Sequence, residues 1–322
     1  LVVLCGARRS GKTSILFQVL NGRLGEDYFP VLIDMQSMAV KSDRKFLVKM
    51  ARRISDTPGA PVGAIEDDFL VESVENPIDG FQKFVADLTA RLGKRKLVLL
   101  FDEYEILETH IEKGFLTTDI IDIFSSWLDH HDDIFMVFTG SEKIDRRKAE
   151  FWARLLPKAV FSKRISYLAR NAAIRLIEEP LRGAVVYEEG IPERIYDLTA
   201  GHPFYTQVLC QIIVDRLNDH GEKSVGTKYV DYAVGQIVEN PLPQMMFAWN
   251  SLSDVEHLAI STMAELTRET RAPVAAEDIR RFAKDKQIGL EVDAAVISEA
   301  LEKLFLQEIL NKTGSGNAYS FR

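Results

Sequence analysis

Apolar positions along the chain fall into two patterns. Unbroken runs at Leu1–Cys5, Val31–Met35, Leu97–Phe101 and Ile134–Thr139 predict strands buried on both faces, as in a parallel sheet. Between them, apolar residues recur every three or four positions at 38–55, 78–92 and 115–129, which predicts helices. Ser14 to Leu20 sets Ile15, Leu16, Val19 and Leu20 on one helical face, with Gly22 as a stop. Pro58-Gly59-Ala60-Pro61 reads as a loop. Strands alternating with helices predict an α/β fold, a parallel sheet with helices on both faces.

The rhythm then changes. From about 170 to 238 only helical periodicity is found, and Pro241-Leu242-Pro243 marks a hinge. Helical patterns at 254–266, 275–285 and 293–306 precede "EILNKTGSGNAYSFR", two short strands about a glycine-rich turn. Three helices and a β-hairpin describe a winged-helix domain. The expected division is an α/β core at 1–166, a small helical domain at 167–240 and a winged helix at 241–322.

Composition adds exclusions. The chain of 322 residues has no internal repeat and no apolar run of membrane-spanning length. It begins without Met inside a strand-like run, as expected of a piece of a longer protein. Cys5 and Cys210 each sit in an apolar segment, and the six histidines form no ligand spacing. A reducing cytoplasm is the expected setting. The net charge of −8 opposes general polyanion binding while leaving room for a local basic patch.

The chemistry begins where the first strand ends. Gly6-Ala7-Arg8-Arg9-Ser10-Gly11-Lys12-Thr13 satisfies G-x-x-x-x-G-K-[ST], with a strand before it and a helix, opening at Ser14, after it. The main-chain N–H groups of such a loop cradle a phosphate at the positive end of the helix. Lys12 reaches the outer phosphates and the Thr13 hydroxyl ligates Mg²⁺. The sheet is thus expected to be that of a P-loop NTPase.

Hydrolysis further requires a carboxylate for the metal and a group to orient water. "KLVLLFDEYEIL" provides both at the end of a buried strand: Asp102 for the Mg²⁺ shell and Glu103 for water activation. The next strand ends in Thr139, Gly140 and Ser141, where Thr139 first and Ser141 second are candidates to sense a terminal phosphate. Strand-end hydroxyls also serve as plain caps, and that alternative stands beside the first. A cation opposite the transferring group is expected among Arg146, Arg147, Arg154 and Arg164, with Arg154 and Arg164 preferred.

The order of parts (phosphate loop, "LVLLFDEYE", "FMVFTGS", a helical segment with "LTAGHPFYTQVLC", winged helix) resembles the STAND class of AAA+-related ATPases and its archaeal-ATPase and origin-recognition-like relatives. The resemblance implies a helical lid at 167–240, with Gly201-His202-Pro203 against the nucleotide at the start of a lid helix. Phe204 follows, where hydrolysing AAA+ relatives present a lid arginine, so slow turnover is implied. From the residues alone, Gly201 ends one helix and Pro203 opens the next. A GTPase would carry N-K-x-D. The near match Asn311-Lys312-Thr313-Gly314 lacks the Asp, which favours ATP and ADP as ligands.

The segment expected to read DNA in a winged helix carries Asp293, Glu299, Glu302 and Glu308 against Lys303 alone, a net of −3. Phosphates would be repelled by it. Basic residues gather instead at Arg280, Arg281, Lys284 and Lys286, beside Asp278 and Asp285. The expected activity is therefore an ATP-binding, slowly hydrolysing switch that works through protein partners or self-association of lid and winged helix. A DNA-associated ATPase is the alternative.

Overall fold

The apolar runs become the inner strands of one sheet. The computed structural model of the chain describes residues 1–38, 40–63, 77–141, 150–270, 272–286, 288, 292–313 and 317–322, in two compact units, Leu1–Ser166 and Tyr167–Arg322. Arg146 and Arg147, and the turn at 314–316, lie outside the described residues.

In the first unit the elements are β1 (Val2–Cys5), α1 (Lys12–Gln18), β2 (Tyr28–Asp34), α2 (Asp43–Ser55), α3 (Pro77–Leu92), β3 (Lys96–Asp102), α4 (Glu105–Glu112), α5 (Asp119–His130), β4 (Ile134–Gly140) and β5 (Phe161–Arg164). The sheet order is β2-β3-β4-β1-β5, parallel throughout. Its register sets Asp34 beside Asp102, Asp102 beside Thr139, and Cys5 between Gly140 and Arg164. Parallel pairing thus delivers the chemically rich residues to one edge.

Both faces of the sheet are covered. Phe29, Val31, Ile33, Leu99, Phe101 and Phe138 share one core with Phe46 and Met50 of α2, Phe81 and Leu88 of α3, and Ile120 and Phe124 of α5. Leu16 of α1 packs with Val98 and Leu100 on the other face. The Phe101 ring lies 4.8 Å from Phe138 and 5.1 Å from Phe124. Each such fully buried side chain contributes about 2 kcal/mol.

Several expectations shift. The second strand starts at Tyr28 and stops before Met35, because β3 pairs with it from Lys96 onward. The helix expected from 38 starts at Asp43, where the Ser42 hydroxyl accepts from the Lys45 N–H at 3.4 Å. The helix expected over 115–129 spans Asp119–His130, and α4 precedes it unforeseen. α1 ends at Gln18 and the chain kinks through Val19–Arg23, where Gly22 has φ 84°. β5, Phe-Ser-Lys-Arg, has no apolar run, since an edge strand with exposed side chains needs none.

The second unit contains α6 (Arg170–Glu178), β6 (Val186–Tyr187), α7 (Ile191–Thr199), α8 (Pro203–His220), β7 (Ser224–Val225), α9 (Thr227–Glu239), α10 (Pro243–Asn250), α11 (Asp254–Leu266), β8 (Val274–Ala275), α12 (Ala276–Asp285), α13 (Ala294–Leu306), β9 (Leu310–Lys312) and β10 (Ala318–Phe321). The expectation of helices alone before residue 240 is corrected: β6 and β7 form a two-residue parallel pair. Strands that short leave no periodic trace. Ile177, Ile195, Leu209, Ile213 and Val230 form one cluster, and Ala259, Met263, Ile279, Leu301, Leu304 and Tyr319 form another. In the latter, helices α11 to α13 support the sheet β8-β10-β9. Burial pushes the Cys210 thiol up to about 12, so it stays protonated at neutral pH. Among the described residues no helix is long and apolar enough to cross a membrane.

Candidate functional site

Gly6 leaves β1 and donates its N–H to Gly140 O at 3.1 Å, binding the loop's first residue to the end of β4. It is glycine for want of space: a Cβ there would stand 2.0 Å from the main-chain oxygen of Ile165. The chain then reverses through Arg9, at φ 63°, and Gly11, at φ 97°. An Arg in the left-handed region is costly by itself, and the loop holds it there. Ala7 is half-buried, while Arg8, Thr13 and Ser14 are exposed. Ser10 is buried, and its hydroxyl has no hydrogen-bond partner among the described residues.

Lys12 opens α1 with its side chain 9 % exposed, and Nζ donates to Gly6 O at 3.0 Å and Ala7 O at 2.8 Å. The ammonium thus lies curled over the loop. Burial lowers its pKa, opposed by the negative charges of Glu105, Asp102 and Glu103. Among the described residues this buried cation bonds two neutral carbonyl oxygens, so its charge is uncompensated by a direct ion pair, which suits it to an anion.

Close packing at Gly6 carries its own expectation. Gly6→Ala forces a methyl group onto a main-chain atom that no rotamer change can clear, and should destabilise the unit by about 2 kcal/mol. Urea denaturation measures it. An unchanged midpoint would mean that the loop does not pack here.

Asp102 lies on the same edge, 9 % exposed. Its Oδ2 accepts from the Thr13 hydroxyl at 2.7 Å, and its Oδ1 accepts from the Thr139 hydroxyl. Thr139 is wholly buried, so its hydroxyl orients the aspartate from behind. Glu103 is exposed, with φ 59°, and its Oε2 accepts from Gln36 Nε2 at 2.7 Å. Gln36 sits just past β2, its N–H on Asp34 Oδ1 at 3.0 Å. Sequence reasoning missed Gln36, since no local pattern links it to a residue 67 positions away. Ser141 gives its N–H and its hydroxyl to Glu105 Oε1.

Loop, aspartate, glutamate and strand-end threonine are therefore brought together. The arginines are placed differently. Arg154 donates to both carboxylate oxygens of Asp122 on α5 at 2.5 Å. Arg164 ends β5, in register with Cys5 at the start of the loop. A cavity of about 960 Å³ along β2, lined by Leu20, Tyr28, Leu32, Arg53 and Arg95, includes none of the candidate residues.

Gly201, His202 and Pro203 belong to the second unit. Gly201 has φ 72°, and a Cβ there would meet Leu168 O at 2.5 Å. Pro203 opens α8 after His202 at the N-cap. The His202 ring is buried between Tyr167 and Tyr205, with centroids 4.9 and 4.5 Å away. Burial lowers its pKa, so the ring is neutral at pH 7.

No protein-family model and no curated protein matches the chain. Among solved structures, the Aeropyrum pernix ORC2 protein in its ADPNP–ADP complexes is similar with TM-score 0.60 at 13% identity, over 99% of this chain and 82% of that one. The Thermotoga maritima RuvB Holliday junction branch migration motor is similar at 14% identity over 100% of this chain and 84% of that one, with TM-score 0.49. The central parallel sheet flanked by helices is a P-loop NTPase fold, shared with that ORC2 protein.

Proposed function

We propose that the chain binds ATP with Mg²⁺ and hydrolyses it slowly, as a nucleotide-dependent switch of the STAND type. One observation carries the reading: the Thr13 hydroxyl and the Asp102 carboxylate stand 2.7 Å apart at the mouth of a glycine loop. The buried Ser10 hydroxyl, unpartnered among the described residues, also suits a phosphate cradle.

In this reading Thr13 and Asp102 hold the metal, whose oxygen ligands are those a hard cation prefers. The main-chain N–H groups from Gly6 to Ser14 and the Lys12 ammonium hold the phosphates. Bound Mg²⁺ supplies charge neutralisation at the transferring phosphoryl group. Glu103 orients the attacking water and Thr139 fixes Asp102. Arg164, in register with Cys5 at the end of the loop's strand, and Arg154, which pairs with Asp122, are the candidate cations.

The lid (167–240), with Gly201, His202 and Pro203 as nucleotide contacts, and the winged helix (241–322) belong to the same proposal. Their separate hydrophobic clusters support the division. Exposed Met246, Phe247 and Trp249 on α10 support an output through protein contacts or self-association. A DNA-associated ATPase is the alternative: on the expected winged helix Arg280 is paired with Glu277, and Glu299 and Glu302 are likewise paired, with Lys303 and Lys312.

Metal removal tests the reading. Chelation by EDTA should weaken ATP binding at least about tenfold, measured by titration calorimetry, and Asp102→Asn should abolish the difference. Equal affinity with and without Mg²⁺ would sink the assignment of Thr13 and Asp102.

A further inference from the structure

Glu105 is the first residue of α4, two positions past Glu103. Its Oε1 accepts both the N–H and the hydroxyl of Ser141. Its Oε2 is buried with no hydrogen-bond partner among the described residues. Gly140 makes room for that oxygen: a Cβ there would come within 2.8 Å of it and 2.1 Å of the Tyr104 ring. Of the carboxylates that favour the charged form of Lys12, Glu105 acts most strongly, ahead of Asp102 and Glu103. An acid that served only its own helix would need none of this. It would satisfy the N–H groups of α4, whereas Glu105 reaches across to the end of β4.

A main-chain N–H and a hydroxyl at a strand end, with an ammonium close by, are the donors that grip a phosphate oxygen. Here a carboxylate already holds the first two. We propose that Glu105 is a specificity-determining residue of the nucleotide site: its carboxylate occupies the Ser141 donors as an internal anion and so disfavours a third phosphate relative to a diphosphate. The inference rests on the nucleotide-binding reading above. A triphosphate brings additional negative charge toward Lys12 and β4, and like charges at close range repel strongly in a partly desolvated site. A diphosphate, one group shorter, meets less of that field.

The test is titration calorimetry of the whole chain with Mg²⁺-ADP and a non-hydrolysable Mg²⁺-ATP analogue. Glu105→Gln keeps the side chain's shape and an acceptor for Ser141 while removing the charge. It should raise the affinity for the triphosphate about tenfold and leave that for ADP within about twofold. Asp34→Asn removes a carboxylate from the same sheet edge and should leave the ratio of the two affinities unchanged. Should Glu105→Gln fail to fold, Glu105→Asp, which draws the charge back by one methylene, should shift the ratio in the same direction by a smaller factor. An unchanged ratio in the variant that folds, or an equal shift in Asp34→Asn, overturns the inference. Wild-type protein that binds neither nucleotide overturns instead the reading on which it rests.

Discussion

Lys12→Ala should cut ATP affinity at least about a hundredfold, or about 2.7 kcal/mol, as read by titration calorimetry. The size follows from the position of the ammonium. It is 9 % exposed, so most of its desolvation cost is borne by the fold before any ligand arrives. A phosphate therefore meets a cation poorly screened by water. The variant should fold, because among the described residues Nζ bonds the carbonyl oxygens of Gly6 and Ala7, both within its own loop. Burial also sets a pH signature. The binding form is the charged one, and its pKa lies below that of an ordinary lysine, so wild-type affinity should decline as pH rises, starting at a lower alkaline pH than a solvated lysine would set. A Lys12→Ala protein that binds ATP as tightly as wild type would remove the phosphate site from the account.

Glu103→Gln separates binding from chemistry. Turnover should drop at least about a hundredfold, the usual scale for losing a group that takes up a proton, while ATP affinity stays within about threefold. The substitution is mild for the fold. The side chain is exposed, and its partner Gln36 can donate to an amide oxygen as it does to the carboxylate at 2.7 Å. The backbone at φ 59° is the same for either residue. Phosphate release in single-turnover assays measures the chemical step, and turnover that survives the change would reassign the water-orienting role.

The site was legible in part. Gly6, Gly11, Lys12 and Thr13 announce themselves because contiguous residues form one local feature, a tight turn from a strand into a helix start. Asp102 and Glu103 were readable from a buried apolar run that ends in acid, since parallel strands deliver their carboxyl ends to one edge. What Thr139 does was not readable. The strand places it correctly, but only the register beside Asp102 turns its hydroxyl onto that carboxylate. Gln36 and Glu105 were missed for the same reason, since their partners lie 67 and 36 residues away in sequence. Arg154 looked available for catalysis, and its pairing with Asp122 depends on where α5 packs.

By itself the sequence determined the inner strands, most of the helices and the phosphate loop, because periodicity and motif act over neighbouring residues where the physics is local. Tertiary structure decided the edge strand β5, the two-residue pair β6–β7, the separate helix α4, and every hydrogen bond that orients the acids. Those features are fixed by partners distant along the chain, which one segment's pattern cannot encode.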